Sequence, residues 1–245
     1  MCIICEKDER DLFYETNINC CQCPYVKVIP SLPRLITLDC SNCINLQTIQ
    51  PQLELIRLVC YSCVKLKELS NFPKLNDLNC SKSGVQEIPV LPRLGELSCN
   101  DCISLEEIPI LPKLEYLFCN GCINLKSISL LPNLILLCCR YTKVYSLPLL
   151  LKLEYLLCYN CVNLIDIPVL PKLSYTWNNK GYWMKVSSSY GWMLAFMKKF
   201  MKRREMRKRL QRYLKSKNYR DYCIQFYSKR HEENKKRLEE WIKKL

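Results

Sequence analysis

The sequence predicts a solenoid in which one short parallel β-strand per repeat stacks on the next, followed by a basic α-helical extension. Three observations carry this. The chain is self-similar at intervals of 19–20 residues; leucine and cysteine recur at fixed places in that interval; and charge and composition change abruptly near residue 176.

The period comes first, because a missed repeat misplaces every motif inside it. Leu38, Leu58, Leu78, Leu97, Leu117, Leu137 and Leu156, with Ile18 leading, stand 20, 20, 20, 19, 20, 20 and 19 residues apart. Each unit reads approximately LPxLxxLxCxxCxxLxxIP, as in LPRLITLDCSNCINLQTIQ and LPRLGELSCNDCISLEEIP. One unit cannot bury its leucines alone, but about eight stacked units, each touching its neighbours, make a continuous core. The strand falls around Tyr116–Phe118 and its equivalents. The IPxLP stretch suits an irregular convex side, because proline cannot donate to a ladder.

Two cysteine columns run through the array. The first is Cys20, Cys40, Cys60, Cys80, Cys99, Cys119, Cys139 and Cys158; the second is Cys23, Cys43, Cys63, Cys102, Cys122 and Cys161. Ser83 and Thr142 replace the second cysteine in two units, and both units lose one residue before Val85 or Val144. A metal ligand has no reason to vary with loop length, whereas a side chain satisfying an inward-facing turn does. Cys40-x2-Cys43-x16-Cys60-x2-Cys63 has the spacing of a structural zinc site, but that interval is simply the repeat. Bridges between rungs are disfavoured because equivalent residues of parallel strands stand about 4.8 Å apart and a disulfide needs Cβ atoms near 3.8 Å. Thiol redox chemistry calls for one activated pair, not six interchangeable ones. Free cysteine as a small buried hydrophobe is the favoured reading.

The repeats at 12–177 resemble leucine-rich repeats of a cysteine-containing, short-unit type, in the LxxLxLxxN/CxL arrangement with cysteine at the third leucine position. Their LPxL…IP framing is similar to the short repeats of bacterial secreted effectors, and the cysteine-rich version resembles uncharacterised repeat proteins of giant amoebal DNA viruses. The resemblance implies a protein-binding scaffold, with residues 1–11 as an N-terminal cap. The 11 residues before the repeats are too few for an F-box-like segment, and Cys223 stands alone after them, so a ubiquitin-adaptor or ligase role is not expected.

Residues alternating with the inward leucines face the concave surface. In the first half these include Asp39, Asp77 and Glu96; in the second they are aromatic and aliphatic. Contiguous exposed apolar surface marks interaction sites, so the candidate partner-binding residues are Tyr116, Phe118, Leu136, Arg140, Tyr155, Leu157 and Tyr159.

Beyond Tyr175 the repeat lapses, with Thr176 and Asn178 in place of leucine and cysteine, and residues 178–191 read as a C-terminal cap. Residues 176–245 carry 21 Lys/Arg against 6 Asp/Glu, a net of +15, while residues 1–175 carry 16 against 17, a net of −1, giving the total of +14. Over 192–245 Met193, Phe196, Met197, Phe200, Met201, Leu210 and Leu214 recur at helical spacing. Lys198, Lys199, Lys202, Arg203, Arg204, Arg207, Lys208 and Arg209 crowd the other side. Such a helix suits weak, sequence-indifferent contact with nucleic acid or an anionic membrane.

The start, MCIICEKDERDLFYETN, has no basic leader or apolar stretch of signal length, which leads us to expect an intracellular, cytoplasmic protein, with the basic segment compatible with the nucleus. Neither GxGxxG nor GxxxxGK[ST] occurs. The one histidine, His231, lies in the charged tail, which removes Cys–His catalysis from the repeats. The sequence therefore predicts a monomeric, non-catalytic scaffold with no cofactor and no metal, binding a protein partner of unknown identity. The alternative is a metal-binding or thiol-redox protein built on the repeated CxxC pairs.

Overall fold

In the computed structural model the chain winds into a parallel β-solenoid, described for residues 2–161, 163, 164, 168, 170, 172–177 and 183–185. The strands in chain order are β1 (Asn17–Asn19), β2 (Val28–Ile29), β3 (Thr37–Asp39), β4 (Thr48–Ile49), β5 (Arg57–Val59), β6 (Asp77–Asn79), β7 (Glu96–Ser98), β8 (Glu107–Ile108), β9 (Tyr116–Phe118), β10 (Ser127–Ile128), β11 (Leu136–Cys138), β12 (Tyr155–Leu157), β13 (Tyr175–Trp177) and β14 (Trp183–Lys185). Ten of them form the main sheet, β1-β3-β5-β6-β7-β9-β11-β12-β13-β14. Pairing is in register, Leu38 beside Leu58 and Leu97 beside Leu117. The central leucine of each three-residue strand points in and is at most 1 % exposed from Leu38 to Leu156.

The period-two alternation of a strand therefore survives for only three residues per turn, and the rest of each turn is held by inward side chains. Leu35, Leu38, Cys40, Cys43, Leu46 and Ile49 of one turn are all buried, and each has a buried counterpart one repeat on. The core is a stack of such layers.

The return side is more ordered than the proline-rich sequence implies. β2 pairs with β4 and β8 with β10, both parallel. These short ladders form where the later rung lacks proline: Gln50 N–H donates to Ile29 O at 2.9 Å and Ser129 N–H to Ile108 O at 3.0 Å. Ser70 reaches the same carbonyl position, Ile49 O, with its hydroxyl at 2.5 Å. Pro89, Pro109 and Pro148 occupy this place in other rungs and have no N–H to give.

At the N-terminal end, helices α1 (Ile3–Glu6) and α2 (Glu9–Leu12) cover the first rung, with Leu12 buried and Ile3 and Ile4 packed on the core. At the other end the parallel ladder runs one rung past the lapse in the sequence, Leu156 pairing beside Thr176. The backbone ladder does not require the leucine. β14 then pairs antiparallel with β13. The basic residues of 192–245, Lys198 to Arg209 among them, lie outside the described residues.

Candidate functional site

The CxxC turn is the most repeated chemical feature. Its third residue adopts a left-handed backbone in every rung: Gln22, Asn42, Ser62, Lys82, Asp101, Gly121, Tyr141 and Asn160, with φ from 56° to 71°. This turns the amide N–H toward the next rung, where Asn42 donates to Tyr61 O at 2.7 Å and Asp101 to Asn120 O at 2.7 Å. Glycine is the usual residue here, yet only Gly121 uses it, and a Cβ built on that residue would meet Asp101 Oδ1 at 2.0 Å.

The second-column cysteines point the other way. Cys43 Sγ donates to Cys20 O at 3.0 Å, Cys63 to Cys40 O at 3.1 Å, Cys102 to Cys80 O at 3.0 Å, Cys122 to Cys99 O at 2.9 Å and Cys161 to Cys139 O at 2.8 Å. Each S–H staples its turn to the rung before. Ser83 and Thr142 instead bond the carbonyl of their own rung, Cys80 O at 2.6 Å and Cys139 O at 2.8 Å. In the shortened turn after Ser83, Gly84 N–H takes over the contact with the previous rung, donating to Cys63 O at 3.2 Å. A Cβ on Gly84 would lie 2.3 Å from Val64 O, so that approach requires glycine.

At three second-column positions the thiols titrate in the direction opposite to the first column: the hydrogen bond from the first-column sulfur lowers Cys63, Cys102 and Cys161, the last to about 7, while the first column is raised. Burial pushes the Cys60 and Cys119 thiols well above the ordinary 9.0. At Cys80, Cys99 and Cys139 the hydrogen bond to the neighbouring second-column sulfur leads, with burial adding to it. Burial also raises Cys138 to about 11 against the pull of Arg140. The four sulfurs of Cys40, Cys43, Cys60 and Cys63 do not gather. Among the described residues, one group of three metal-ligating side chains closes to within 4.8 Å: Cys2, Cys5 and Cys23.

The predicted partner residues lie on the open face of the main sheet. Tyr116, Leu136 and Tyr155 stand side by side in register on β9, β11 and β12. Tyr116 is exposed, and Phe118, Leu136, Arg140, Tyr155 and Tyr159 are half-buried. Leu157 is a correction: expected at the surface, it is only 7 % exposed. It stacks in register beside Cys138, itself 6 % exposed, whereas the equivalent residues of the earlier rungs from Asp39 to Phe118 are half-buried.

Beside this strip the turn residues form a cluster. The Arg140 guanidinium sits 5.5 Å from the Tyr159 ring centre, and Tyr141 meets Tyr159 edge to face at 5.2 Å with their hydroxyls 3.0 Å apart. Arg140 is held from behind by Asn120, whose Oδ1 accepts from its backbone N–H and from Nε, both at 3.1 Å. Asn120 Nδ2 in turn donates to Asn100 Oδ1 at 2.9 Å. Ser81, Asn100, Asn120 and Arg140 thus form a polar ladder that fixes Arg140 beside the aromatic strip. Asn100 and Asn120 stand one repeat apart in the sequence, but their support of Arg140 does not show there.

The fold and these turns define a class: a parallel β-solenoid whose rungs are joined by cysteine-lined, left-handed turns. Compared with known protein families and with curated proteins, the chain matches none.

Proposed function

We propose that the protein is a non-catalytic scaffold of the leucine-rich-repeat type that binds a protein partner through the open sheet face of its later rungs. The observation that carries this reading is the strip Tyr116–Leu136–Tyr155, continued by Phe118 and by Arg140 against Tyr159. Aromatic residues and arginine dominate interface energetics, and this arginine is already held in position, which lowers the ordering cost of binding. The S–H staples work only with reduced thiols, which supports an intracellular setting.

The test replaces Tyr116, Phe118, Tyr155 and Tyr159 together with serine and compares capture of binding proteins with that of the unaltered chain. The proteins held by the unaltered chain should be lost, while the midpoint of thermal unfolding stays nearly unchanged. Undiminished capture would refute the surface; a large fall in stability would show that these side chains serve packing instead.

A further inference from the structure

The second-column cysteines find acceptors in the rung before them, and the first rung has none before it. Cys23 heads that column, and among the described residues its Sγ has no carbonyl acceptor. The N-terminal cap supplies sulfur in place of that carbonyl. Cys5 Sγ lies 3.6 Å from Cys23 Sγ, and Cys2 Sγ lies 3.8 Å from Cys5 Sγ. We propose that Cys2, Cys5 and Cys23 form a zinc(II) site that clamps the N-terminal cap onto the first rung, with water in the fourth position.

Geometry favours an ion over a bond. Sulfurs bound tetrahedrally to zinc at about 2.3 Å lie about 3.8 Å from one another, close to the 3.6 and 3.8 Å separations found here. A disulfide needs about 2.0 Å. Three thiolates form a soft donor set suited to zinc, and Cys2-x2-Cys5 is the short ligand spacing found in structural zinc sites. Cys23 is 4 % exposed while Cys2 and Cys5 are half-buried, giving one ligand anchored in the core and two at an open edge through which an ion enters.

The backbone N–H groups of Tyr25 and Val26 hydrogen-bond the Cys23 sulfur. Such N–H donors orient and tune a sulfur ligand. The cap also needs a fastening. α1 is four residues long with no side-chain cap hydrogen bond, far too short to be stable alone. Binding expels the proton of each thiol and leaves three Zn–S bonds with no change of oxidation state.

The test uses the full chain, reduced and stripped of metal, then titrated with cobalt(II) and with zinc(II). Cobalt should give the thiolate-to-metal charge-transfer absorption of a three-sulfur site, saturating at one ion per chain, and zinc should displace it and raise the midpoint of thermal unfolding. Cys2→Ser and Cys5→Ser should each weaken binding at least tenfold, with far-ultraviolet dichroism showing the fold intact. Cys122→Ser, in a carbonyl-bonded turn, should bind as the unaltered chain does. Binding below one ion per chain, or equal binding by the Cys2 and Cys5 variants, would overturn the proposal.

Discussion

Cys60 and Cys63 belong to one turn, and the structure assigns them opposite sensitivities to the same substitution. Cys63 Sγ donates to Cys40 O at 3.1 Å. Serine there keeps a donor aimed at a carbonyl, as Ser83 does in its own turn with a 2.6 Å bond. Since an intramolecular hydrogen bond contributes about 1 kcal/mol net, Cys63→Ser should lower stability by no more than about 1 kcal/mol. Cys60 is fully buried, and its Sγ makes no hydrogen bond to a carbonyl among the described residues. A hydroxyl placed there is desolvated without compensation, costing about 1–3 kcal/mol on protein mutational scales. The two variants should therefore differ by about 1–2 kcal/mol, a factor of roughly 5–30 in the folded-to-unfolded ratio. Urea unfolding under reducing conditions, followed by circular dichroism, reads this directly. Solenoids depart from two-state behaviour as arrays lengthen, but both changes fall in one rung, so the comparison of midpoints holds. If Cys60→Ser is as mild as Cys63→Ser, the contrast between a packed Cys60 and a donating Cys63 is wrong.

Two further outcomes follow from the same turns. Cys60, Cys80, Cys99, Cys119 and Cys139 keep their protons in the fold above the ordinary 9.0. The stability this contributes is whole below about pH 9 and falls as pH rises, since the unfolded chain then loses protons that the folded chain retains. The urea midpoint should therefore drop between pH 9 and 10; a flat profile would contradict the burial of the column. The left-handed position gives a pair of opposite signs. Ser62→Gly, at φ 59°, should stabilise by up to about 1 kcal/mol, while Gly121→Ala should destabilise by about 1–2 kcal/mol, with the displaced Asp101 side chain adding to it. Thermal midpoints of the two variants check both signs.

The repeat was legible because the leucines of the strand and the two cysteine columns keep one interval, and in-register parallel stacking is the arrangement that lines such columns up. The exchange of cysteine for Ser83 or Thr142 in the shortened turns correctly pointed to a turn-satisfying role, now seen as the choice between the previous rung's carbonyl and the turn's own. Other features were hidden for identifiable reasons. The left-handed turn positions carry no glycine except Gly121, so the usual signal was missing. The small return sheet depends on single N–H groups at Gln50 and Ser129, too brief for a period to reveal. Gln52 occupies a column of leucines and is completely buried; it accepts from Leu32 N–H at 2.8 Å and donates to Pro30 O at 2.6 Å and to Gln50 O at 3.0 Å. The burial of Leu157 lay beyond simple alternation because it comes with the stacking of two apolar residues, Cys138 and Leu157, side by side in adjacent rungs. The approach of Cys2 and Cys5 to Cys23 joins segments 18 and 21 residues apart outside the repeat register, where periodicity has nothing to say.

The staples also decide where the array can flex. From Cys43 to Cys122, successive turns are fastened to the rung before either by a thiol or, after Ser83, by the Gly84 amide. At Thr142 the hydroxyl turns to its own rung and lysine stands where Gly84 does in the other shortened turn. Between the Cys122 and Thr142 turns the fastening passes from buried thiols to surface side chains, Lys143 Nζ donating to Asn124 Oδ1 at 3.0 Å and Arg140 Nε to Asn120 Oδ1 at 3.1 Å. That joint runs beneath the aromatic strip, with Tyr116 and Phe118 on one side and Leu136, Tyr155 and Tyr159 on the other. A ligand spanning the strip would act as a splint across it.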